Sequence, residues 1–199
     1  MSLLPEDYVL PEIYYTEERA KQYDSNSRIQ KIQREMAQRA LEILEITPPA
    51  LFLDLGCGTG ISMQVLTEEG FEVMGIDIAE PMLALARQKG LKVFKADFTI
   101  QIPFDSNYFD FVISISTLQW IFQGFKPAVI LEKGKSTAAE IYRILKPQGI
   151  AIIQFYPKNE EQLALAGKIL KKKFSVTKII DDPNIPKRRK IFLLCSKRF

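Results

Sequence analysis

The stretch LFLDLGCGTGIS, residues 51–62, carries the residue pattern in this chain best suited to holding a reactive ligand. An apolar run closes on Asp54 and Leu55 and breaks into Gly56, Gly58 and Gly60 at alternate positions. Glycine lets a backbone turn sharply and lets a ligand approach it closely. A second acid, Asp77, ends the next apolar run about 20 positions on, where a carboxylate can accept from both hydroxyls of a ribose. A third, Asp97, ends the run after that and is followed by Phe98. There a carboxylate can accept from an adenine amino group while the aromatic ring packs on the base.

Three ligands compete for such a loop. A phosphate-binding loop needs Gly-Lys-Ser/Thr, but Gly60 is followed by Ile61 and Ser62. A dinucleotide fingerprint needs GxGxxG, and the last spacing fails here because the third glycine comes one residue early. Asp54 would also repel a pyrophosphate, whereas it would attract a cation. S-adenosylmethionine carries a sulfonium and an ammonium and no phosphate, so DLGCGTG with Asp77 reads as a methyl-donor site. The bland alternative is a glycine turn that holds no ligand. Cys57, Ile78 and Met82, beside the loop and the second acid, complete the expected cofactor contacts on this side. A fourth run ends in ISISTLQWI, placing Ser114, Ser116, Thr117, Gln119 and Trp120 where a substrate should meet the methyl group. Trp120, the sole tryptophan, can stack a base or cap the core beneath the following helix, and the sequence leaves both open.

These residues need elements to hold them. Strand-like runs at 50–55, 71–77, 91–97, 111–116 and 149–156 alternate with helical patterns. Strands with fully apolar cores separated by helices predict a parallel sheet covered on both faces. Two last runs, SVTKII and KIFLLCS, have no helix between them and predict an antiparallel hairpin. The expected fold is therefore α/β, a Rossmann-like seven-stranded, mostly parallel sheet with a C-terminal antiparallel hairpin. In such sheets ligands bind outside the carboxyl ends of the strands, at the switch point. Upstream, an extended segment to about Tyr15 precedes two helices. In the second, Ile29, Ile32, Met36, Ala40, Ile43 and Leu44 form one stripe, with Asn26 or Ser27 as cap and Pro48-Pro49 as the stop. We expect one domain over 1–199, with a helical lid at 1–47 and the Rossmann-like core at 48–199.

Composition narrows the chemistry. The chain has 199 residues and no histidine, which excludes Ser-His and Cys-His dyads and predicts no metal site. Two distant cysteines make no disulfide framework and point to a reduced, cytoplasmic setting. No apolar run is long enough to span a membrane, and MSLLPEDYVLPEIYY lacks the form of a secretory signal. Residues 150–199 hold 12 basic and 4 acidic side chains, whereas the rest of the chain is net acidic. Lys168, Lys171 to Lys173 and the Lys187–Lys190 run form a candidate nucleic-acid footprint. The alternative is a solvated lysine-rich face.

The chain resembles class I S-adenosylmethionine-dependent methyltransferases. More narrowly, it resembles the bud-site-selection family that methylates guanine N7 in small-subunit ribosomal RNA. The resemblance runs over YYTEERAKQYDSNSRIQKIQREMAQRALEIL, LDLGCGTGIS, GIDIAEPML, IPFDSNYFDFVISISTLQWI, QFYPKNEEQ and IIDDPN. It implies ribosomal RNA or a pre-ribosomal small subunit as substrate. It also implies a small zinc-binding activator protein on the edge strand at 91–96, a surface a homodimer could equally cover. Eukaryotic members continue into a long basic extension, so a chain ending at Phe199 suggests a prokaryotic, archaeal-type member. Guanine N7 is a lone pair without a proton, so its methylation needs no general base. Trp120 or Tyr156 is then expected to stack the guanine, and Gln119 and Asn159 to read its Watson–Crick edge. Tyr15, Tyr23 and Arg28 are expected to close over the cofactor, Arg28 meeting either its carboxylate or, as a surface pair, Glu35 or Asp24. The rival readings are a small-molecule methyltransferase of the quinone or lipid type and a cofactor-bound RNA-binding module without catalysis.

Overall fold

The computed structural model describes residues 9–122, 126–185 and 189–197. Seven strands form one sheet: β1 (Leu51–Leu55), β2 (Glu72–Asp77), β3 (Val93–Lys95), β4 (Phe109–Ile115), β5 (Leu145–Gln154), β6 (Phe174–Asp181) and β7 (Lys190–Lys197). Their order is β3-β2-β1-β4-β5-β7-β6. β1 to β5 run parallel, and β7 lies antiparallel to both β5 and β6. This is the expected Rossmann-like arrangement, and its order reverses between β1 and β4. The chain leaves β1 toward β2 and β3, then returns to lay β4 on β1's other side. The carboxyl ends of β1 and β4 consequently diverge and leave a crevice.

Alternation along each strand sends side chains to two separate cores. Leu53, Leu55, Val112, Ile153 and Leu193 face helices α7 (Pro127–Ile144) and α8 (Glu160–Leu170). Phe52, Ile113, Ile152 and Phe192 face α3 (Ser27–Leu44) and α4 (Ile61–Glu68), meeting Met36, Ala40, Leu44 and Leu66. Phe52 is fully buried, with Phe71 and Phe111 at ring-centroid distances of 5.2 and 5.1 Å. Helix α5 (Glu80–Gln88) packs Leu83 and Ala86 against Met63 and Val93.

The N-terminal helices stand over the crevice. α1 (Pro11–Tyr14) is a single turn where an extended segment was expected, because Pro11 presets helical φ at the first position. α2 (Glu17–Ser25) is capped by Thr16, and α3 by Asn26, whose Oδ1 accepts from the amides of Arg28 and Ile29 at 3.1 Å. The stop of α3 is not Pro48-Pro49 but Glu45, which takes a left-handed φ of 51°. The Lys89 ammonium pairs with Asp24 of α2 and donates to the Thr59 carbonyl at 3.0 Å, fastening α2 to the glycine loop.

Three other boundaries shift, and one of them is β5, which runs Leu145–Gln154 where 149–156 was expected. β3 covers only 93–95, since the sheet offers it a partner on one side alone. The long segment after β4 divides into α6 (Gln119–Phe122) and α7. No helix among the described residues is long and apolar enough to cross a membrane. Replacing Phe52 with Ala should destabilise the fold by about 3–5 kcal/mol, read as a lower urea midpoint with unchanged slope.

Candidate active site

The glycine loop follows β1 directly. Gly56, Gly58 and Gly60 all take positive φ, at 77, 53 and 84°. At Gly56, space as well as φ demands glycine: a Cβ there would lie 2.2 Å from the Thr117 methyl and 2.8 Å from its Cβ. The amides of Gly56 and Cys57 donate to the Ile76 carbonyl at 2.8 and 3.0 Å, and Thr117 Oγ1 donates to the Gly56 carbonyl at 3.2 Å. The loop is thereby pinned to the ends of both β2 and β4.

Asp77 ends β2 and closes the loop. Its Oδ2 accepts from Gly58 N–H at 2.9 Å and its Oδ1 from Ala79 N–H at 2.8 Å. Burial raises its carboxyl pKa, and these amides oppose the rise. Each oxygen keeps a further lone pair for a hydroxyl. Asp54 lies deeper and is fully buried. Its Oδ2 accepts from the Ser62 hydroxyl, while Oδ1 has no partner. Burial, with a smaller contribution from Asp77's charge, pushes its pKa up to about 7. The same surroundings push the buried Cys57 thiol up, so Cys57 is an uncharged wall residue and not a nucleophile.

Around this loop lies a cleft walled by the loop itself, the ends of β2 and β4, and the N-terminal helices. Of the expected cofactor residues, Tyr15, Tyr23, Gly56, Cys57, Gly58, Asp77, Ile78, Met82 and Phe98 line it, as does Trp120. Asp54 and Gly60 do not line it: Asp54 lies buried beneath the loop, and Gly60 shapes the start of α4. Asp97 turns back on its own loop, accepting from the Thr99 amide at 2.8 Å and hydroxyl at 2.7 Å. Ser114 is buried and donates to the Leu55 carbonyl at 2.9 Å, bracing β1 against β4. Arg28 stands exposed on the first turn of α3 and lines no part of the cleft. Its alternative partners are taken elsewhere: Asp24 pairs with Lys89 and Glu35 with Lys190. In its place Gln33, one turn further along α3, reaches the cleft. Gln33 lies on the same side of α3 as the buried Met36, Ala37 and Ala40, and a glutamine there carried no distinctive signal in the sequence.

A second depression adjoins the first and shares Tyr15, Tyr23, Gln33, Ser116 and Trp120 with it. Tyr14, Gln119 and Tyr156 complete its polar and aromatic lining. Trp120 meets Tyr14 and Tyr15 at 5.9 Å, so it neither caps the core nor stands free but forms an aromatic wall with the N-terminal segment. Gln119 is nearly buried; its Nε2 donates to the Ser116 carbonyl at 2.7 Å and its Oε1 has no partner. Asn159 lies outside both cavities and caps α8, its Oδ1 accepting from Gln162 N–H at 2.9 Å. Tyr23 sits where the cavities meet; burial first, then the charges of Asp77, Asp54 and Asp24, hold its phenol protonated far above the usual range.

These residues fit a cationic nucleoside cofactor. Asp54 brings a buried acceptor without a partner and a carboxyl that resists ionising, both of which a neighbouring positive charge would relieve. Asp77 offers ribose acceptors, and Ile78, Met82 and Phe98 offer an apolar seat for a flat base. The pH consequence has a definite sign. The folded chain keeps the Asp54 proton up to about pH 7, whereas an unfolded aspartate releases it near about pH 4. The cofactor-free protein should therefore lose stability as pH rises across that window. Asp54→Asn should flatten the profile in thermal unfolding and weaken binding of S-adenosylmethionine by at least about tenfold in calorimetry. An unchanged profile and unchanged affinity would refute this role.

Comparison with known proteins agrees with the geometry. Residues 53–153 match the methyltransferase domain family. The chain is 39% identical over 197 residues to the probable 18S rRNA (guanine-N(7))-methyltransferase of Dictyostelium discoideum, spanning 96% of this chain and 69% of that protein. It is 34% identical over 195 residues to the fission yeast 18S rRNA (guanine-N(7))-methyltransferase, spanning 96% and 73%. Among solved structures, the methyltransferase in complex with the Haloferax volcanii Trm112 methyltransferase activator superposes with a TM-score of 0.67 at 18% identity, over 90% of this chain and 98% of that one. The chain belongs to the S-adenosylmethionine-dependent methyltransferases, within the family of the 18S rRNA guanine-N7 methyltransferases.

Proposed function

We propose that this protein methylates N7 of a guanine in small-subunit ribosomal RNA, acting in the cytoplasm. The observation that carries the reading is the aromatic depression opening directly onto the cofactor cleft. Its aromatic and polar lining suits a flat base flipped from its stack, and its neighbour supplies the methyl group. S-adenosylmethionine, when bound, supplies that methyl on a sulfonium sulfur, which leaves as a neutral thioether. Among the described residues lining the depression, none is a carboxylate or an imidazole. A nucleophile that had to lose a proton would be poorly served there, whereas the N7 lone pair needs no base. The protein's contribution is placement at near-attack distance with water excluded.

Within that placement, Trp120 and Tyr156 stack the base, and Gln119 Oε1 accepts from its Watson–Crick edge. Asn159 lies outside both cavities, its carbonyl oxygen taken by the cap of α8. Helices α1 to α3 act as the lid, with Tyr15 and Tyr23 over the cofactor. The RNA backbone follows the basic face near α8, where Lys168, Lys171 and Lys178 line a groove against β6 and β7. Arg189 and Lys190 of the same basic run pair with Glu160 and Glu35, while Lys187 and Arg188 lie outside the described residues. A small activator protein docks on β3, the sheet's outer strand. Phe94 on that edge is 38% exposed, with Phe104 at 5.4 Å and Tyr108, stacked on Phe104, equally exposed. An apolar edge of this kind favours a partner strand.

Tritiated cofactor should label small-subunit RNA from cells lacking the protein, and mass spectrometry should find 7-methylguanosine at one position. Label confined to small metabolites would refute the reading. Trp120→Ala should lower kcat/KM by about 5- to 100-fold, the value of one base–aromatic stack. Lys168→Ala with Lys171→Ala should raise KM and flatten its dependence on salt.

A further inference from the structure

The cofactor cleft and the aromatic depression share a wall, and the amide of Gln33 stands in it. Which end of that amide faces Ser116 follows from its neighbours. Ser116 N–H, which can only donate, lies 3.1 Å from the side-chain oxygen of Gln154 and fixes that amide's orientation. The Ser116 hydroxyl lies 3.1 Å from the same oxygen and so gives its proton to it. Ser116 Oγ can then only accept from Gln33, which must offer Nε2, at 3.2 Å. The bond to Ser116 uses one of the two Nε2 protons, and the second is available to a ligand at the junction of the cavities.

On a purine, the atom beside N7 on the same edge is what distinguishes the two bases. Guanine carries O6 there, an acceptor, and adenine carries an amino group, a donor. A donor held beside N7 pairs with the first and opposes the second. We propose that Gln33 is the specificity residue of this enzyme, donating its free Nε2–H to guanine O6 while the N7 lone pair faces the methyl group. This rests on the guanine-N7 reading above. Position 33 belongs to the lid helix, so the selecting donor is in place only when α3 is packed against Ser116 at the end of β4.

The test replaces the mapped guanine in the ribosomal RNA, by ligation, with inosine or with 2-aminopurine. Inosine keeps O6 and N7, and 2-aminopurine keeps N7 without O6. The wild-type chain should methylate guanine and inosine within about threefold of each other and 2-aminopurine at least about tenfold more slowly. Gln33→Leu should slow guanine and inosine and bring all three to within about threefold. Gln33→Glu, which cannot donate when ionised, should do the same. A residue with only a structural role would slow the three by one common factor, and ratios within one preparation cancel its folded fraction. The wild-type guanine-to-2-aminopurine ratio persisting in Gln33→Leu would overturn the proposal. If wild-type enzyme yields no 7-methylguanosine, the guanine-N7 reading fails and this inference with it; 7-methylguanosine with an unchanged ratio refutes this inference alone.

Discussion

The glycine loop's hold on Asp77 is the constraint from which the rest of the site follows. Gly58 N–H reaches that carboxylate from a loop in which Gly56, Gly58 and Gly60 all take left-handed φ. That turn brings the loop so close to Thr117 that no side chain fits at Gly56. Three strand ends are thus locked together: β1 through the loop, β2 through Asp77, and β4 through Thr117. The crevice between β1 and β4 inherits its shape from this lock, and helix α4 begins where the lock releases the chain.

Electrostatics then favours one kind of occupant. Two carboxylates, one wholly buried, lie near a cluster of aromatic rings, with the lysine that reaches the loop already paired to Asp24. An anion would add to this imbalance, and a cation would relieve it. The raised pKa of Asp54 is the same fact seen from the proton's side: without a cationic ligand, the site draws on a proton to neutralise itself. Tyr23, held neutral by those acids, contributes a hydroxyl and a ring and no charge.

The lid supplies what the sheet cannot. A Rossmann-like sheet holds the cofactor at its strand ends but offers a base little to stack on. Tyr14 and Tyr15, carried by the single turn of α1, meet Trp120 from β4's side, and together they wall a second cavity. Arg19 fixes that turn by donating to the Tyr14 carbonyl at 3.1 Å and lying 4.5 Å over its ring. Gln33 and Ser116 stitch α3 to the same place. The two cavities therefore share walls.

Much of this was legible in the sequence because it depends on local rules. Apolar runs interrupted by helical stripes set the sheet and its hairpin, glycines at alternate positions marked the loop, and the acids at 54 and 77 marked its charge. Residues whose roles depend on distant partners were misplaced or unseen. Arg28 seemed to face the cofactor, yet the rotation of α3 gives that place to Gln33 and leaves Arg28 in solvent. Asn159 looked like a base reader and is a helix cap, a role set by the start of α8. Asp97 shares the strand-end pattern of Asp77 but spends an oxygen on Thr99. The sequence by itself determined the fold class, the glycine loop and the acids beside it, since these follow from periodicity, steric freedom and charge along the chain. Only the tertiary structure decided which side chains share the cavity wall, because helix rotation and packing against β4 are fixed by contacts between residues some 80 positions apart, as between Gln33 and Ser116.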